Sequence, residues 1–276
     1  MWNEKERRLP LLFFLCTAGI YDFLSKKVIC CRYKSHNAFR VIVLSISELN
    51  LMLEQRQKEV NYDINRLSQV IFYIINLHRR FCEENRDIQQ INLRKLLVKD
   101  VCKQIDIDKF IIYPDYYNII KKYLYRLGLL TPDMISFEAD YIDLDSRSRV
   151  KELGSVIYKL GHYYLVKEEK GEMPLKKCLN DLMGFRVCLP GFSHDCPVFQ
   201  EMCNFIKNDY NIKCINSSKG EYYRGTHVYF YGDSNKNFPW ELQIWLTDDV
   251  QTNLNSHEKH KQEYVKFAEF HKDAFN

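Results

Sequence analysis

Two acidic residues border apolar segments in the second half of the chain. Asp181 precedes the apolar segment 184–189, and Glu241 stands at the start of the segment 240–246. Carboxylates at the ends of neighbouring strands can meet at one edge of a sheet and share a hard metal ion such as Mg²⁺. Phosphoryl-type transfer needs such carboxylates, together with cations that neutralise the phosphates. We therefore predict that Asp181 and Glu241 hold Mg²⁺ from exposed strand ends.

The cations that this chemistry requires are present in the same half of the chain. Four polar residues fit one side of a helix: Arg149, Lys151, Ser155 and Lys159. By itself this pattern also fits an ordinary solvated basic face. Arg186 favours phosphate binding, because it projects from an otherwise hydrophobic strand, where an unpaired cation is costly. A phosphate, or an adenine ring on which the guanidinium stacks, would explain its presence there.

An aromatic residue and a histidine flank Arg224 in a loop that we predict to contact the acceptor of the transfer. Tyr223 can stack on a base, and His227 can hydrogen-bond to a sugar or a phosphate. The alternative is a tyrosine that packs locally, which is common in a chain with 19 tyrosines. Gln243 lies two residues after Glu241 and shares its strand face.

The elements that position these residues differ between the two halves of the chain. We predict an α-helical N-terminal region over residues 1–132, which serves packing or a partner surface, and a second domain over residues 133–276. The second domain should contain a helix at about 148–166, a helix at about 197–207 and a last helix from 248 onward. Strands are predicted at 184–189, 212–215, 226–231 and 240–246. Helices that alternate with strands indicate an α/β layer architecture.

These segments together resemble the synthetase domain of the RelA/SpoT family, the (p)ppGpp synthetases, over residues 149–264. The matching patterns are R-x-K-x-x-x-S-x-x-x-K, D-x-x-G-x-R, Y-R-x-x-H and E-x-Q-I, in that order. The resemblance implies an α/β (α+β) fold with a nucleotidyltransferase-like mixed sheet flanked by helices. It implies ATP binding by Arg149, Lys151, Ser155, Lys159 and Arg186, and acceptor binding by Lys219, Tyr223, Arg224, His227 and His257. It also implies catalysis by Asp181, Glu241 and Gln243, with Mg²⁺ on the two carboxylates.

Three positions depart from the family pattern. Trp245 stands where the family usually has Arg, Ser256 where it has Glu, and Gly225 where it has Ser. The first two remove charge near the acceptor, so they put the identity of the acceptor in doubt, whereas the ATP side is intact. The chain lacks the separated histidines of the family's hydrolase domain, and it resembles most the toxic small alarmone synthetases.

That resemblance implies transfer of the β,γ-pyrophosphate of ATP to a 3′-hydroxyl, which we expect to be the 3′ end of tRNA. It also implies a translation-inhibiting toxin that a protein antitoxin restrains. One alternative is an alarmone synthetase that makes (p)ppGpp or (pp)pApp from a free purine nucleotide such as GDP or GTP. Another is an inactive nucleotide- or RNA-binding regulatory module, although the intact Asp181 and Glu241 speak against it. A homo-oligomeric state stays open.

Composition limits the other classes. The formal net charge of +4 is too small for general coating of a polyanion, and 46% hydrophobic residues exclude disorder. The ten cysteines include no C-x-x-C pair, so we expect buried, reduced thiols and neither zinc nor disulfides. The apolar run Leu9–Cys16 is too short to span a bilayer. We expect a cytoplasmic protein with no membrane partner.

Overall fold

The computed structural model of the protein describes residues 18–23, 26–35, 38–88, 91–107, 109–168, 170–219 and 222–270, with side chains described from residue 64 onward except at a few later positions. The run at 9–16 lies outside the described residues. The chain forms two compact units, one up to Arg66 and one over Leu67–Asn276. No helix among the described residues is both long and apolar enough to cross a membrane.

The first unit contains an antiparallel sheet of three strands, in the order β1-β2-β3. The strands are β1 (Ala18–Phe23), β2 (Lys26–Ser35) and β3 (Ala38–Ser45), and the long helix α1 (Ile46–Glu84) follows. The sequence prediction for this region was helical, so the strands are a difference. Their β-branched residues, such as Val41, Ile42 and Val43, favour a pleated strand over a helix.

The second unit combines helices with a five-stranded sheet. Its helices are α2 (Val98–Val101), α3 (Pro114–Gly128), α4 (Thr131–Asp140), α5 (Leu153–Gly161), α6 (Leu175–Cys178), α7 (Pro197–Asp209) and α8 (Val250–Phe270), and it includes residues 67–84 of α1. Its strands are the short pair β4 (Cys102–Gln104) and β5 (Phe110–Ile112), then β6 (Arg147–Val150), β7 (Met183–Leu189), β8 (Ile212–Lys219), β9 (Tyr223–Phe230) and β10 (Trp240–Leu246). Short 3₁₀ turns occupy Ile142–Leu144 and Thr247–Asp249.

The five-stranded sheet is mixed, with the order β6-β7-β10-β9-β8. β7 and β10 are parallel, and every other pair is antiparallel. The four predicted strands of this half are all present, as are α7 and α8. The mixed α/β class that the sequence predicts is therefore confirmed.

One face of this sheet is the hydrophobic core. Trp240 of β10 packs at 5.5 Å from Phe81 of α1, measured between ring centroids, and its indole N–H donates to the Tyr123 hydroxyl of α3 at 3.0 Å. Phe185 of β7 contacts Phe137 of α4 with ring centroids 4.9 Å apart. These helices therefore belong to the same compact unit as the sheet, and the unit begins at Leu67 instead of the predicted residue 133.

The helix predicted at about 148–166 is wrong in its first part. β6 is a strand that pairs antiparallel with β7, α5 begins only at Leu153, and a π-helical turn at His162–Val166 follows it. The Lys151 amide donates to the Leu182 carbonyl at 2.9 Å, which extends this pairing by one residue. Arg149 and Lys151 thus lie on and just after a strand, and only Ser155 and Lys159 share a helix.

Candidate active site

The second face of the sheet carries the polar residues. Side chains alternate between the two faces along a strand. Phe185 and Trp240 point into the core, so the residues next to them in the sequence point to the opposite face. The register aligns Arg149, Gly184, Glu241 and Tyr229 in one row across β6, β7, β10 and β9. The next row contains Arg147, Arg186, Gln243 and His227. The sheet therefore brings five of the thirteen predicted site residues together on one face, namely Arg149, Arg186, His227, Glu241 and Gln243.

Asp181 lies just before β7, between two lysines. Its carboxylate oxygens accept from the ammonium of Lys151 at 2.6 Å and from that of Lys159 at 3.0 Å. Lys159 also donates to the Asn180 side-chain oxygen at 3.3 Å. The side chains of Asp181, Lys151 and Lys159 are 13%, 8% and 20% exposed, so this is a buried cluster. The prediction of an exposed strand end was wrong for Asp181.

The charges in this cluster favour the ionised forms of Asp181 and Lys159 but not that of Lys151. Burial acts to raise the pKa of Asp181, but Lys159 and Lys151 outweigh it and hold that pKa well below the usual range. Burial acts to lower the pKa of Lys159, but the Asp181 charge outweighs it and the net shift is upward. Burial and the nearby Lys159 charge lower the pKa of Lys151. One carboxylate shared by two ammonium groups leaves an excess of positive charge, which suits an anionic ligand.

Glu241 is buried as well, which again contradicts the exposed strand end that the sequence predicted. Its two oxygens lie 3.0 Å from Nδ1 of His227 and 2.8 Å from the donating amide of Gln243. Burial acts to raise the pKa of Glu241, but the hydrogen bond and charge of His227 outweigh it, so the net shift is downward. The negative charge of Asp181 acts to raise the pKa of Glu241, because the two carboxylates lie close enough to interact.

Asp181 and Glu241 could each supply an oxygen ligand to a Mg²⁺ ion that arrived with a nucleotide. Among the described residues, no group of three His, Cys, Asp or Glu side chains could hold a metal by itself. Mg²⁺ commonly binds one or two carboxylates and takes its other ligands from phosphates and water. Asp181 and Glu241 are ionised oxygen donors, and each oxygen has a second lone pair beside its present partner.

Tyr223 lies at the centre of an aromatic cluster. Its hydroxyl is 2.7 Å from Nε2 of His227 and accepts from the Trp245 indole N–H at 3.2 Å. The His257 ring lies 5.9 Å from the Tyr223 ring and 5.4 Å from the Trp245 ring, measured between centroids. Tyr223 is 7% exposed, so stacking of an acceptor base on its ring would require this cluster to open. Tyr223 is the first residue of strand β9, and His227 lies farther along the same strand. The predicted loop at these residues is therefore a strand.

The contacts of this cluster connect Trp245 to Glu241 through Tyr223 and His227. Trp245 donates to the Tyr223 hydroxyl, which lies beside Nε2 of His227. Nδ1 of His227 lies 3.0 Å from a Glu241 oxygen and 3.0 Å from the Tyr229 hydroxyl, so a neutral His227 with its proton on Nδ1 would donate on that side and accept from Tyr223 at Nε2. Burial raises the pKa of Tyr223, which keeps its proton available for this donation.

Gly225 and Trp245 depend on each other. A Cβ atom at Gly225 would lie 2.9 Å from the Tyr223 hydroxyl and 3.2 Å from Cδ1 of Trp245. Both distances are shorter than normal packing allows, so residue 225 has no room for a side chain while Trp245 and Tyr223 hold these positions. Two of the three departures from the family pattern are therefore parts of one local arrangement.

Arg186 lies between this cluster and a second acidic residue. Its guanidinium carbon is 4.6 Å from the centre of the Trp245 ring, and its Nη2 is 3.8 Å from an Asp145 oxygen. Its Nε is buried and has no hydrogen-bond partner. Arg147 faces Arg186 across the β6–β7 pair and binds Asp145 at 2.9 Å. A buried donor without a partner, next to a second arginine, fits an anionic or hydrogen-bonding ligand.

Several residues of the site were not predicted, among them Tyr229 in the row of Glu241 and Asp145 beside Arg186. Arg147 shares the face of Arg149 because it is two residues away on β6, a signal that is legible only once this segment is recognised as a strand. Asn253 of α8 is fully buried and accepts from the Arg224 amide at 3.0 Å, while its own amide donates to the Arg224 carbonyl at 2.7 Å. Nothing in the sequence marks Asn253.

The remaining predicted residues are more loosely connected to the site. Ser155 is half-buried one turn before Lys159 on α5, and the Arg224 side chain is exposed. Lys219 ends β8, and its side chain lies outside the described part of the chain.

A scan against protein-family models finds no match to this chain, and a search of curated proteins finds no relative. The function is therefore argued from the geometry of the site.

The buried charge cluster predicts a large stability effect for Asp181→Asn. This change leaves two buried ammonium groups without a carboxylate, and breaking a buried pair costs about 3–5 kcal/mol. Asp133→Asn is the matched control, because it breaks the more exposed pair with Arg80, which contributes roughly 0–1 kcal/mol. Urea denaturation measures both, and an equal loss for the two variants would contradict the buried cluster.

Gly225→Ala tests the packing of the aromatic cluster. The added methyl should cost about 1–3 kcal/mol of unfolding free energy. Tyr223→Phe removes the nearest clashing atom, so the double variant should lose less than the sum of the single variants. Gly154→Ala on α5, where a Cβ meets nothing within 4 Å, is the control and should be nearly neutral. Additive losses in a denaturation cycle would show that the clash does not determine residue 225.

Proposed function

We propose that the protein is an ATP-dependent pyrophosphotransferase with a nucleotidyltransferase-like sheet. It moves the β,γ-pyrophosphate of ATP to the 3′-hydroxyl of an acceptor. The observation that carries this proposal is the buried Asp181 between Lys151 and Lys159, beside a second buried carboxylate, Glu241. Paired carboxylates with an excess of nearby cations are what transfer between phosphate esters requires.

The donor side is the face between β6, α5 and β7. Lys151 and Lys159 can turn from Asp181 to the β- and γ-phosphates, since both ammonium groups already lie at the same carboxylate. Asp181 and Glu241 are then free to hold Mg²⁺, which neutralises phosphate charge when bound. Arg149 passes over Gly184, where an added Cβ would be 3.6 Å from the arginine side chain. Arg186, and Arg147 beside it, would contact the remainder of the nucleotide.

The chemical step transfers one group between two oxygens. The acceptor 3′-oxygen forms a bond to the β-phosphorus of ATP, and the bond from that phosphorus to the α,β-bridging oxygen breaks. AMP leaves with the electron pair of the broken bond. Glu241 is the candidate base for the proton of the 3′-hydroxyl, and His227 and Gln243 hold its carboxylate in place. The lysines and arginines of the donor side stabilise the charge that develops on the phosphates.

The acceptor that fits best is the 3′ end of tRNA. Trp245, Tyr223 and His257 form a packed aromatic cluster, so at these three positions the described side chains present rings, and no Lys or Arg, to the phosphates of a small nucleotide. A polynucleotide can instead bind through cations farther away, such as the exposed Arg224 and Lys259. Such an enzyme would act as a translation-inhibiting toxin, and its restraint by a protein antitoxin is part of the proposal.

Two other functions remain candidates. An alarmone synthetase that uses GDP, GTP or another free purine nucleotide would share the same donor side. A regulatory module that binds nucleotide or RNA without chemistry would need no ionised pair of buried carboxylates, so the site favours an enzyme.

A labelled-ATP assay tests the proposed function. The protein is incubated with Mg²⁺, ATP labelled at the γ-phosphate, and deacylated tRNA, GDP or GTP in turn. We expect the label on the 3′ end of tRNA and release of AMP. Glu241→Gln should slow the transfer by about 10²–10⁴-fold, the usual contribution of a general base. Glu201→Gln on the exposed side of α7 is the control and should keep full activity.

The other outcomes of this assay separate the alternatives. Label only in GDP or GTP would identify an alarmone synthetase. ATP binding without transfer to any acceptor would identify the regulatory module. Full turnover by Glu241→Gln would remove Glu241 from the chemistry.

Arg186→Ala should weaken ATP binding roughly tenfold, equivalent to about 1.4 kcal/mol, through the loss of stacking and of a buried donor. Arg186→Lys should not restore it, because an ammonium lacks the planar guanidinium that lies over Trp245. Calorimetry with a non-hydrolysable ATP analogue measures the affinity, with Arg86→Ala, at an exposed position just after α1, as the control. Unchanged affinity in a folded Arg186→Ala variant would make Arg186 a structural residue.

A further inference from the structure

Two cysteines lie in contact outside the candidate active site. The Sγ atoms of Cys203 on α7 and Cys214 on β8 are 2.9 Å apart. A disulfide bond is about 2.05 Å long, so less than about 1 Å of further approach would join the two sulfurs. This is the only sulfur–sulfur hydrogen bond among the described side chains. Both residues are free thiols in the structure.

The surroundings make the two thiols chemically different. The hydrogen bond with Cys203 lowers the pKa of Cys214, and the charge of Lys207 lowers it further against the effect of burial. Cys214 is half-buried on β8, which is the edge strand of the sheet, whereas Cys203 is buried. The thiolate is the nucleophile in disulfide exchange, so Cys214 is the sulfur that reacts first.

We propose that Cys203 and Cys214 form a reversible disulfide by exchange with a low-molecular-weight disulfide of the glutathione type. The Cys214 sulfur attacks one sulfur of the small disulfide, and one small thiolate leaves. The Cys203 sulfur then attacks Cys214 in this mixed disulfide, loses its proton to solvent, and releases the second small thiolate. Two protein thiols are oxidised, and one small disulfide is reduced to two thiols. This goes beyond the expectation from the sequence that the cysteines serve as reduced packing residues.

The disulfide would join a helix to the strand at the edge of the site-bearing sheet. β8 pairs with β9 along its whole length, and Ile215, next to Cys214, lies opposite His227. The oxidised protein would therefore have α7 tied to the hairpin that carries His227 and Tyr223. Disulfides of this kind in reducing compartments are usually transient and redox-sensing.

Peptide mapping tests the proposal. The full-length reduced protein is equilibrated with oxidised glutathione under native conditions, its free thiols are alkylated, and it is digested at lysines. Cleavage after Lys207 and Lys213 places the two cysteines in separate peptides. We expect one cross-linked pair in most molecules, with fragmentation locating the bond at Cys203 and Cys214. A dithiol reductant should abolish it.

Control variants identify the sulfur on α7, since Cys178, Cys188 and Cys196 lie in the same peptide as Cys203. Cys178→Ser, Cys188→Ser and Cys196→Ser should each keep the cross-link. Cys203→Ser should remove it and leave Cys214 with one glutathione. Alkylation of Cys214 in the oxidised wild-type protein, or equal pairing of Cys214 with Cys196, would overturn the proposal. The wild-type result decides even where a variant fails to fold.

Discussion

The arrangement of the site depends on one buried carboxylate that two ammonium groups share. Lys151 follows β6, Lys159 lies on α5 and Asp181 precedes β7, so their contacts join three elements that are separate in the sequence. Burying three charges costs solvation free energy that their mutual attraction only partly offsets. A protein does not need such a cluster for stability, because apolar residues would serve packing as well. Its excess positive charge is understandable if an anion completes it.

The sheet separates the functions of its residues by the two-residue period of its strands. On β7, the side chains of Phe185 and Val187 point into the core, while Gly184 and Arg186 lie on the face of the site. The core face is covered by helices through rings such as Trp240 and Tyr123, which fixes the plane of the sheet. The opposite face can therefore hold charged and hydrogen-bonding groups at constant spacing, and residues without a Cβ leave room there for larger neighbours.

The sequence predicts the elements whose pattern is strong. β7 and β10 are apolar runs, and the common face of Glu241 and Gln243 follows from their spacing alone. β6 could not be predicted in this way, because its short sequence Arg-Ser-Arg-Val has no apolar alternation and becomes a strand only by pairing with β7. Burial was also misjudged. Asp181 and Glu241 were expected in solvent, since strand-end carboxylates usually are, and only the tertiary contacts with Lys151, Lys159 and His227 show that each has a partner inside.

The aromatic cluster connects the two substrates of the proposed reaction. Trp245 touches Arg186, which belongs to the proposed donor side, and also Tyr223 and His257, which belong to the proposed acceptor side. A cation at residue 245 would repel Arg186, whereas the indole ring attracts it and leaves its Nε free for a ligand. The Trp245 ring and the Tyr223 hydroxyl also crowd residue 225, where a Cβ atom would lie 3.2 Å and 2.9 Å from them. Trp245 therefore contributes a cation–π contact to Arg186 and brings no charge of its own to this position. The proposed tRNA acceptor would bind through its longer backbone and so would need no cation at residue 245, whereas a small charged nucleotide would gain no charge contact from that residue.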